Sequence, residues 1–395
     1  MRLAFSPEDL AFRDEFLAFL DEHCPEEARF TRDMIGTDDV DEDGVLIVPD
    51  WARRWQATLF DHGWMIPAYP PELGGRNANP VQTMLYLEAM AERGVCRSVH
   101  FGGYAIVGPS LLEFGNDAQK ALAPAAIRGD TIWCVGMSEP GAGSDLASLS
   151  TRAEDRGDHF LVTGQKVWTS YAMVASKGFF YVRTDPDAPK HKGISLLIID
   201  LDSPGLEVRP LRHITGQAEF AEVFLDEVRV PRENLVGELN NGWRVTMGSL
   251  AHERGGLWVE GVVRCLRAVD DIIAMVKRRG LEGDASITRR VAELYARAQG
   301  LRALGWKGFA SFAQGSSAPE HSLLKVATSE LQQTLYEFGM DLQGAGLAVT
   351  DHDVAEEGGR WQASFFNALA GTIGGGTSEI QRNVIAGQVL GLPRG

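Results

Sequence analysis

Two pieces of the stretch 133–170 decide how this chain is read: Ser138-Glu139-Pro140-Gly141-Ala142-Gly143-Ser144-Asp145 and Lys166-Val167-Trp168-Thr169-Ser170. The first puts two hydroxyls and several small residues into a turn. Its backbone N–H groups can face a ligand, because glycine lacks the Cβ that would block a close approach. The second sets a flat apolar indole beside two more hydroxyls. An isoalloxazine ring, large and planar with one apolar edge and a rim of carbonyls and ring nitrogens, needs that mixture of stacking surface and short donors. The bland alternative is a Gly/Pro turn joining a helical region to a sheet, with a core tryptophan beyond it.

Both pieces resemble the flavin-contacting signatures of the acyl-CoA dehydrogenase family, in the same order and at a similar separation. The resemblance implies an α+β fold with an N-terminal helical domain (1–130), a middle β-barrel-like domain (131–237) and a C-terminal helical bundle (238–395). It also implies FAD as cofactor, held by Trp133, Met137, Ser138, Ser144, Trp168, Thr169 and Ser170 on one side and by Thr377 and Glu379 on the other. Ser144 and Arg254 are the implied contacts to an acyl-CoA substrate.

Composition agrees with such a protein. A chain of 395 residues, 44% hydrophobic, is long enough for two or three domains or one multilayer unit. The formal charge of −16 argues against general affinity for nucleic acid or an anionic membrane, since both require a basic face. Phosphates of CoA or FAD must then be met locally, by arginines, helix N-termini or backbone nests. Cys24, Cys96, Cys134 and Cys265 lack metal-ligand spacing and read as reduced thiols. No apolar run approaches membrane-spanning length and no signal peptide is evident, so the expectation is a cytoplasmic protein that does not enter membranes.

Periodicity divides the chain into helix, sheet and helix. Ser6 before Pro7 and two acids signals a helix start, with Phe12, Phe16, Phe19 and Leu20 on one face until Pro25. Trp51, Trp55 and Leu59 repeat at helical spacing up to Gly63, and a helix-rich region follows from Pro80 to about Gly129. A polar stretch from Asp38 to Gly44 reads as a loop. Between Thr131 and Gly237 four β-rich runs stand out: Phe160–Thr163, Gly178–Val182, Ile194–Ile199 and Glu222–Leu225. From Trp243 helical patterns return, with breaks near 280–284, 315–319, 344–346 and 358–359. His100, alone among glycines, reads as structural.

Other chemistries lack support. Gly141-Ala142-Gly143 is not a dinucleotide fingerprint, because Leu146 holds the third glycine position and the residues after it read as strand. No Walker A segment, nucleophile elbow or paired metal ligands are present, and Asp351-His352-Asp353 reads as a solvated loop.

The second positive signal is Gly371-Thr372-Ile373-Gly374-Gly375-Gly376-Thr377-Ser378-Glu379-Ile380-Gln381-Arg382, a glycine run opening into a helix that reaches about Leu390. Ser378 and Gln381 have capping-box spacing. The run resembles the family's C-terminal Gly-Thr-Ser motif, with one departure: many members carry a catalytic glutamate where this chain has Gly375. A subgroup places that glutamate on an earlier helix, and Leu250-Ala251-His252-Glu253-Arg254-Gly255-Gly256 resembles that location, which makes Glu253 the implied base. Gly375 would then contribute its backbone N–H to the thioester carbonyl.

A second departure concerns the family's Arg-x-x-Phe-Gly segment for the distal half of FAD. The corresponding stretch, 277–284, lacks Phe-Gly, which leaves Arg278 or Arg279 as substitutes. The resemblance further implies electron-transfer flavoprotein as partner, and a homodimer, homotetramer or two-chain heterotetramer. Two alternatives stay open at the level of sequence: a flavin monooxygenase on the same fold, and a non-catalytic subunit of a heteromeric dehydrogenase.

Overall fold

The computed structural model describes residues 5–29, 40–98, 100–313, 320–350 and 353–393, with the side chains of 247–260 and 309–322 outside the description. The chain opens with helices α1 (Pro7–His23), α2 (Asp50–Asp61), α3 (Pro80–Arg93), α4 (Gly108–Phe114), α5 (Asp117–Lys120) and α6 (Ala123–Arg128). Strands follow: β1 (Trp133–Gly136), β2 (Arg152–Asp155), β3 (His159–Ser170), β4 (Lys177–Arg183), β5 (Ile194–Asp200), β6 (Leu206–Leu211), β7 (Phe220–Pro231) and β8 (Leu235–Val236). Helices α7 (Gly242–Arg278), α8 (Ala285–Ala313), α9 (Glu320–Asp341), α10 (Arg360–Gly371) and α11 (Ser378–Val384) complete it.

The local reasons are those of the sequence. Ser6 Oγ accepts the Asp9 N–H at 3.1 Å and Pro7, which has no N–H to satisfy, opens α1. Asn79 and Gln82 form a reciprocal capping box on α3, which stops at Gly94 with φ 63°. The breaks after α7, after α9 and at Gly358-Gly359 fall where glycines interrupt the helical spacing. The break at 315–319 lies outside the described residues, as do Asp38 and Asp39.

The chain forms two compact units. One gathers α1, α3 and the helical chain from residue 254 onward, with α1 against α3, α3 against α8, and α9 between α8 and α10. The other gathers α2, α4 to α6, the whole sheet and the start of α7.

Eight strands make one sheet, twice the four β-rich runs that stand out in the sequence. The hydrogen-bonded path is β6-β7-β3-β2-β4-β5-β8, with β1 parallel to β4. β4 and β5 are nearly continuous apolar runs because both their faces are covered. Phe179, Tyr181, Leu196 and Ile198 join a core with Val107, Leu111, Ala123 and Ala126 of the neighbouring helical segments. Phe180, Val182, Leu197 and Ile199 face the other way, onto Phe160, Val162, Val223, Leu225 and Val230 of β3 and β7. The β3–β7 part of the sheet thus curls over β4–β5, which gives the middle region its barrel-like character. β3 and β7 are each 12 residues long, and their antiparallel register shifts twice, between Val162 and Gly164 and between Lys166 and Thr169.

Candidate flavin and acyl-CoA site

The two sequence pieces meet in space. Glu139 and Ala142 exchange backbone hydrogen bonds of 3.1 and 3.0 Å, closing a tight turn over Pro140-Gly141. The Val167 N–H then donates to the Ser138 carbonyl at 3.0 Å, joining the turn to β3. Gly141 and Gly143 face open space: a Cβ on either would find no atom of this chain within 4 Å. The residues after Leu146, expected to be strand, first complete a 3-10 turn at Leu146–Ser148 before β2 begins. Arg183 fixes that turn, its guanidinium donating to the Ala147 carbonyl at 2.6 Å.

Beneath the turn lies a buried ion pair that sequence reading missed. Lys166 Nζ, with 0% side-chain exposure, donates to Glu139 Oε1 at 2.8 Å and to the Met137 carbonyl at 3.2 Å. The carboxylate also accepts from Ser150 N at 2.6 Å, Ser150 Oγ at 2.8 Å and Thr151 N at 2.8 Å. Burial alone would raise the Glu139 carboxyl, but the Lys166 ammonium and the donated hydrogen bonds outweigh it and hold the group down at about 2. Burial pushes the Lys166 ammonium down, to about 8, against the pull of Glu139. The available signal was the phase of β3, since Lys166 sits at even spacing from Phe160 and Val162, both of which point inward.

The register shift after Lys166 is a β-bulge: Lys166 pairs with Val223 and Thr169 with Ala221, so Val167 and Trp168 together oppose Glu222. Trp168 adopts φ 60° there, a conformation that costs a side-chain-bearing residue on the order of 1–2 kcal/mol. Its indole stands 54% exposed, edge-on to Phe220 at 5.7 Å. Thr169, by contrast, is buried with its hydroxyl unpartnered among the described residues, as is the indole N–H of buried Trp133. Ser138 and Ser170 are half-buried and Ser144 is exposed. A strained, outward indole, two glycines bordering free volume and an unsatisfied hydroxyl beside it fit a large planar ligand with a polar rim.

The C-terminal glycine run forms its own loop. Gly375 and Gly376 take φ 65° and 91°. The helix cap falls one residue earlier than the spacing suggested: Thr377 Oγ1, not Ser378, accepts the Ile380 N–H, at 3.2 Å. Gln381, instead of closing a capping box, reaches back to the Gly375 carbonyl. The register changes because Ser378 is buried and already helical, which leaves Thr377 at the extended position that a cap requires. The helix continues as a π-turn through Val389 to Leu390, as expected. Glu379 is exposed, and hydrogen bonds from its own backbone and from Thr377 hold its carboxyl below the usual range.

The backbone of Glu253 and Arg254 is helical, within α7, while their side chains lie outside the described residues. Arg278 and Arg279 are engaged within the chain: Arg278 pairs with Glu357 and Arg279 with Glu356. Their use as substitutes for the missing Phe-Gly segment therefore competes with two ion pairs. His100, expected from the sequence to be structural, is fully buried, with its Nδ1 unpartnered among the described residues. Its Nε2 lies 3.0 Å from the backbone N and 2.7 Å from the carbonyl of Trp133, and burial pushes its imidazole down to about 4. Among the described residues no cluster of metal ligands occurs and no helix is long and apolar enough to cross a membrane. Asp351 and His352 lie outside them.

Comparison with known proteins gives the family. Models of the acyl-CoA dehydrogenase N-terminal, middle and C-terminal domains match residues 6–130, 134–228 and 240–390. The chain belongs to the acyl-CoA dehydrogenase family, which comprises FAD-dependent flavoprotein oxidoreductases. It is 36% identical over 355 residues to acyl-CoA dehydrogenase IpdE1 of Mycolicibacterium smegmatis, covering 87% of this chain and 88% of that protein. It is 30% identical to the mouse mitochondrial short-chain specific acyl-CoA dehydrogenase, covering 81% and 78%. Among solved structures, the Tcur3481-Tcur3483 steroid ACAD superposes with TM-score 0.85 at 29% identity over 100% of both chains. The ChsE4-ChsE5 complex from Mycobacterium tuberculosis gives TM-score 0.80 at 29% identity, again over 100% of both.

Proposed function

We propose that this chain is an FAD-dependent dehydrogenase that converts an acyl-CoA thioester to the trans-2-enoyl-CoA and passes the electrons to an electron-transfer flavoprotein. The observation that carries the reading is the Val167-to-Ser138 hydrogen bond, which joins the two signature pieces into one wall beneath an outward Trp168. Trp133, Met137, Ser138, Ser144, Trp168, Thr169 and Ser170 would hold FAD, with Thr377 and Glu379 as further contacts. When bound, FAD supplies the acceptor for the hydride that leaves Cβ.

The protein's own groups have three tasks. Glu253, as carboxylate, takes the proton from Cα. The Gly375 N–H, which donates to no described residue, meets the thioester oxygen as negative charge builds on it. Ser144 and Arg254 orient the CoA ester. The residue ranges 1–130, 131–237 and 238–395 serve as the three functional parts, and a homo-oligomer or a two-chain assembly in the cytoplasm is the working form. Likeness to a steroid ACAD and to the ChsE4-ChsE5 complex makes steroid-derived acyl-CoA thioesters the first substrate class to try and a second chain the first partner to look for.

The test is an anaerobic titration of the yellow protein with straight, branched, dicarboxylic and steroid-side-chain CoA thioesters, reading flavin absorbance and product. Bleaching with an enoyl-CoA product is expected for one class. Glu253→Gln should keep FAD and lose bleaching by orders of magnitude; an unimpaired variant would remove Glu253 from the mechanism. Oxygen uptake with substrate oxygenation would favour a monooxygenase, and absence of FAD a partner subunit.

A further inference from the structure

Two side chains that the reaction as proposed leaves unused grip the glycine loop before α11. Lys325 Nζ, from α9, donates to the Gly376 carbonyl at 2.6 Å. Gln381 Nε2, on a residue 3% exposed, donates to the Gly375 carbonyl at 2.9 Å. The peptide bonds are trans, so each carbonyl points opposite to the N–H of the following residue. Drawing the carbonyls of Gly375 and Gly376 toward Gln381 and Lys325 therefore turns the N–H groups of Gly376 and Thr377 the other way. Neither N–H meets an acceptor among the described residues.

The grip also changes the strength of those donors. A carbonyl that accepts a hydrogen bond polarises its own peptide unit, and an ammonium donor does so most strongly. The Gly376 N–H shares its peptide with the carbonyl held by Gln381, and the Thr377 N–H with the one held by Lys325. Residue 376 tolerates only glycine, because φ is 91° and a Cβ would fall 2.9 Å from Gln381 Nε2. The next hydroxyl along, Ser378 Oγ, is buried and unpartnered among the described residues. The Gly374 carbonyl, whose peptide carries the Gly375 N–H, has no such brace among them.

We propose that Lys325 and Gln381 are positioning residues that aim and polarise the Gly376 and Thr377 N–H groups at a single oxygen bearing or developing negative charge. The oxygen belongs to the substrate thioester or to a cofactor phosphate. This inference rests on the dehydrogenase reading above and deepens it, since it assigns the working donors to two peptides beyond that of Gly375.

Three variants of the full-length protein test it. Gln381→Glu keeps the side-chain shape but replaces a donor with an acceptor, Lys325→Met removes the cation, and Lys325→Arg retains it. The readouts are the FAD dissociation constant and the anaerobic bleaching rate of FAD-saturated protein, using the acyl-CoA that bleaches the wild type. For a thioester oxygen, Gln381→Glu and Lys325→Met lower the bleaching rate on the order of 10- to 100-fold while FAD affinity stays within about twofold. For a phosphate oxygen, FAD affinity falls by roughly 10-fold and the bleaching rate of saturated protein holds. Lys325→Arg restores either property to within about threefold. Folded variants with wild-type affinity and wild-type rate would overturn the inference, and so would Met and Arg at position 325 losing stability alike with no kinetic difference. A wild type that binds no FAD, or that no acyl-CoA bleaches, would instead overturn the dehydrogenase reading, and this inference with it.

Discussion

Replacing Lys166 by Met should cost far more than its position in a signature turn suggests. The substitution keeps the buried stem but leaves Glu139 charged, 6% exposed and without its cation, with only Ser150 and Thr151 as donors. Removing one partner of a buried pair costs about 3–5 kcal/mol, because the other charge stays desolvated. At about 2–4 °C per kcal/mol for a unit of this size, the sheet-bearing unit should melt roughly 6–20 °C lower. The double variant Glu139→Gln/Lys166→Met has no buried charge and keeps an acceptor for Thr151, so it should recover much of the loss. Calorimetry on wild type, both single variants and the double variant gives the coupling energy directly. A loss below about 1 kcal/mol for Lys166→Met, or a double variant no better than the single, would refute the argument. The pH dependence follows from the depressed carboxyl. Its stabilisation is fully present above the unfolded value, about 4.3, and is lost as pH falls through the folded value of about 2. Melting of the wild type should therefore steepen its fall between pH 4.5 and 2 relative to Glu139→Gln.

Glu219 behaves in the opposite sense. Burial raises its carboxyl to about 7, so stability is greatest at low pH and declines as pH rises from about 4.3 through 7. His213, 3.8 Å away, is itself pushed down by burial. Glu219→Gln should flatten the decline, gaining on the order of 2–3 kcal/mol over wild type between pH 4 and pH 8 in denaturant titrations; parallel curves would reject it. Trp168→Gly relieves the left-handed strain while removing an exposed ring, so the melting temperature should move by only a few degrees as flavin affinity drops roughly 10-fold. A large loss of stability there would mean the indole serves the core. Thr377→Val removes the cap of α11 and should cost about 1 kcal/mol by thermal melting, with Thr377→Ser near wild type; equal losses would show that the methyl, not the hydroxyl, matters.

Much of this was legible in residues whose effect is local. Ser6 and Pro7 open a helix, and Gly280 and Gly344, both at positive φ, follow the ends of α7 and α9, because caps and φ preferences act within one turn. Strands whose existence depends on partners were not legible. β2 reads Arg152-Ala153-Glu154-Asp155, with no β propensity, and forms because Thr163 to Phe160 lie opposite it. β6 carries Pro210, which fits an edge strand but looks like a loop in isolation. In the site, the signature pieces named the wall, while the Glu139–Lys166 pair and the Lys325 and Gln381 grips are long-range meetings that no spacing announces.

The two irregularities along β3 and β7 have opposite signs. Between Val162 and Gly164 the extra residue belongs to β7, at Asp226-Glu227, where Glu227 takes φ 51°; between Lys166 and Thr169 it belongs to β3, at Val167-Trp168. The offset opened by the first is closed by the second, so both ends of the ladder keep the same pairing and only Gly164 to Lys166 run one step out of line. Each strand therefore carries one inserted residue, absorbed locally against a single residue of its neighbour. Deleting Val167 would leave Trp168 alone opposite Glu222 with Thr169 still opposite Ala221, and deleting Glu227 would leave Asp226 alone opposite Thr163, so either irregularity can be removed without disturbing the other. A relative that loses one of these residues can therefore keep the other, and with it the pairing at both ends of the ladder.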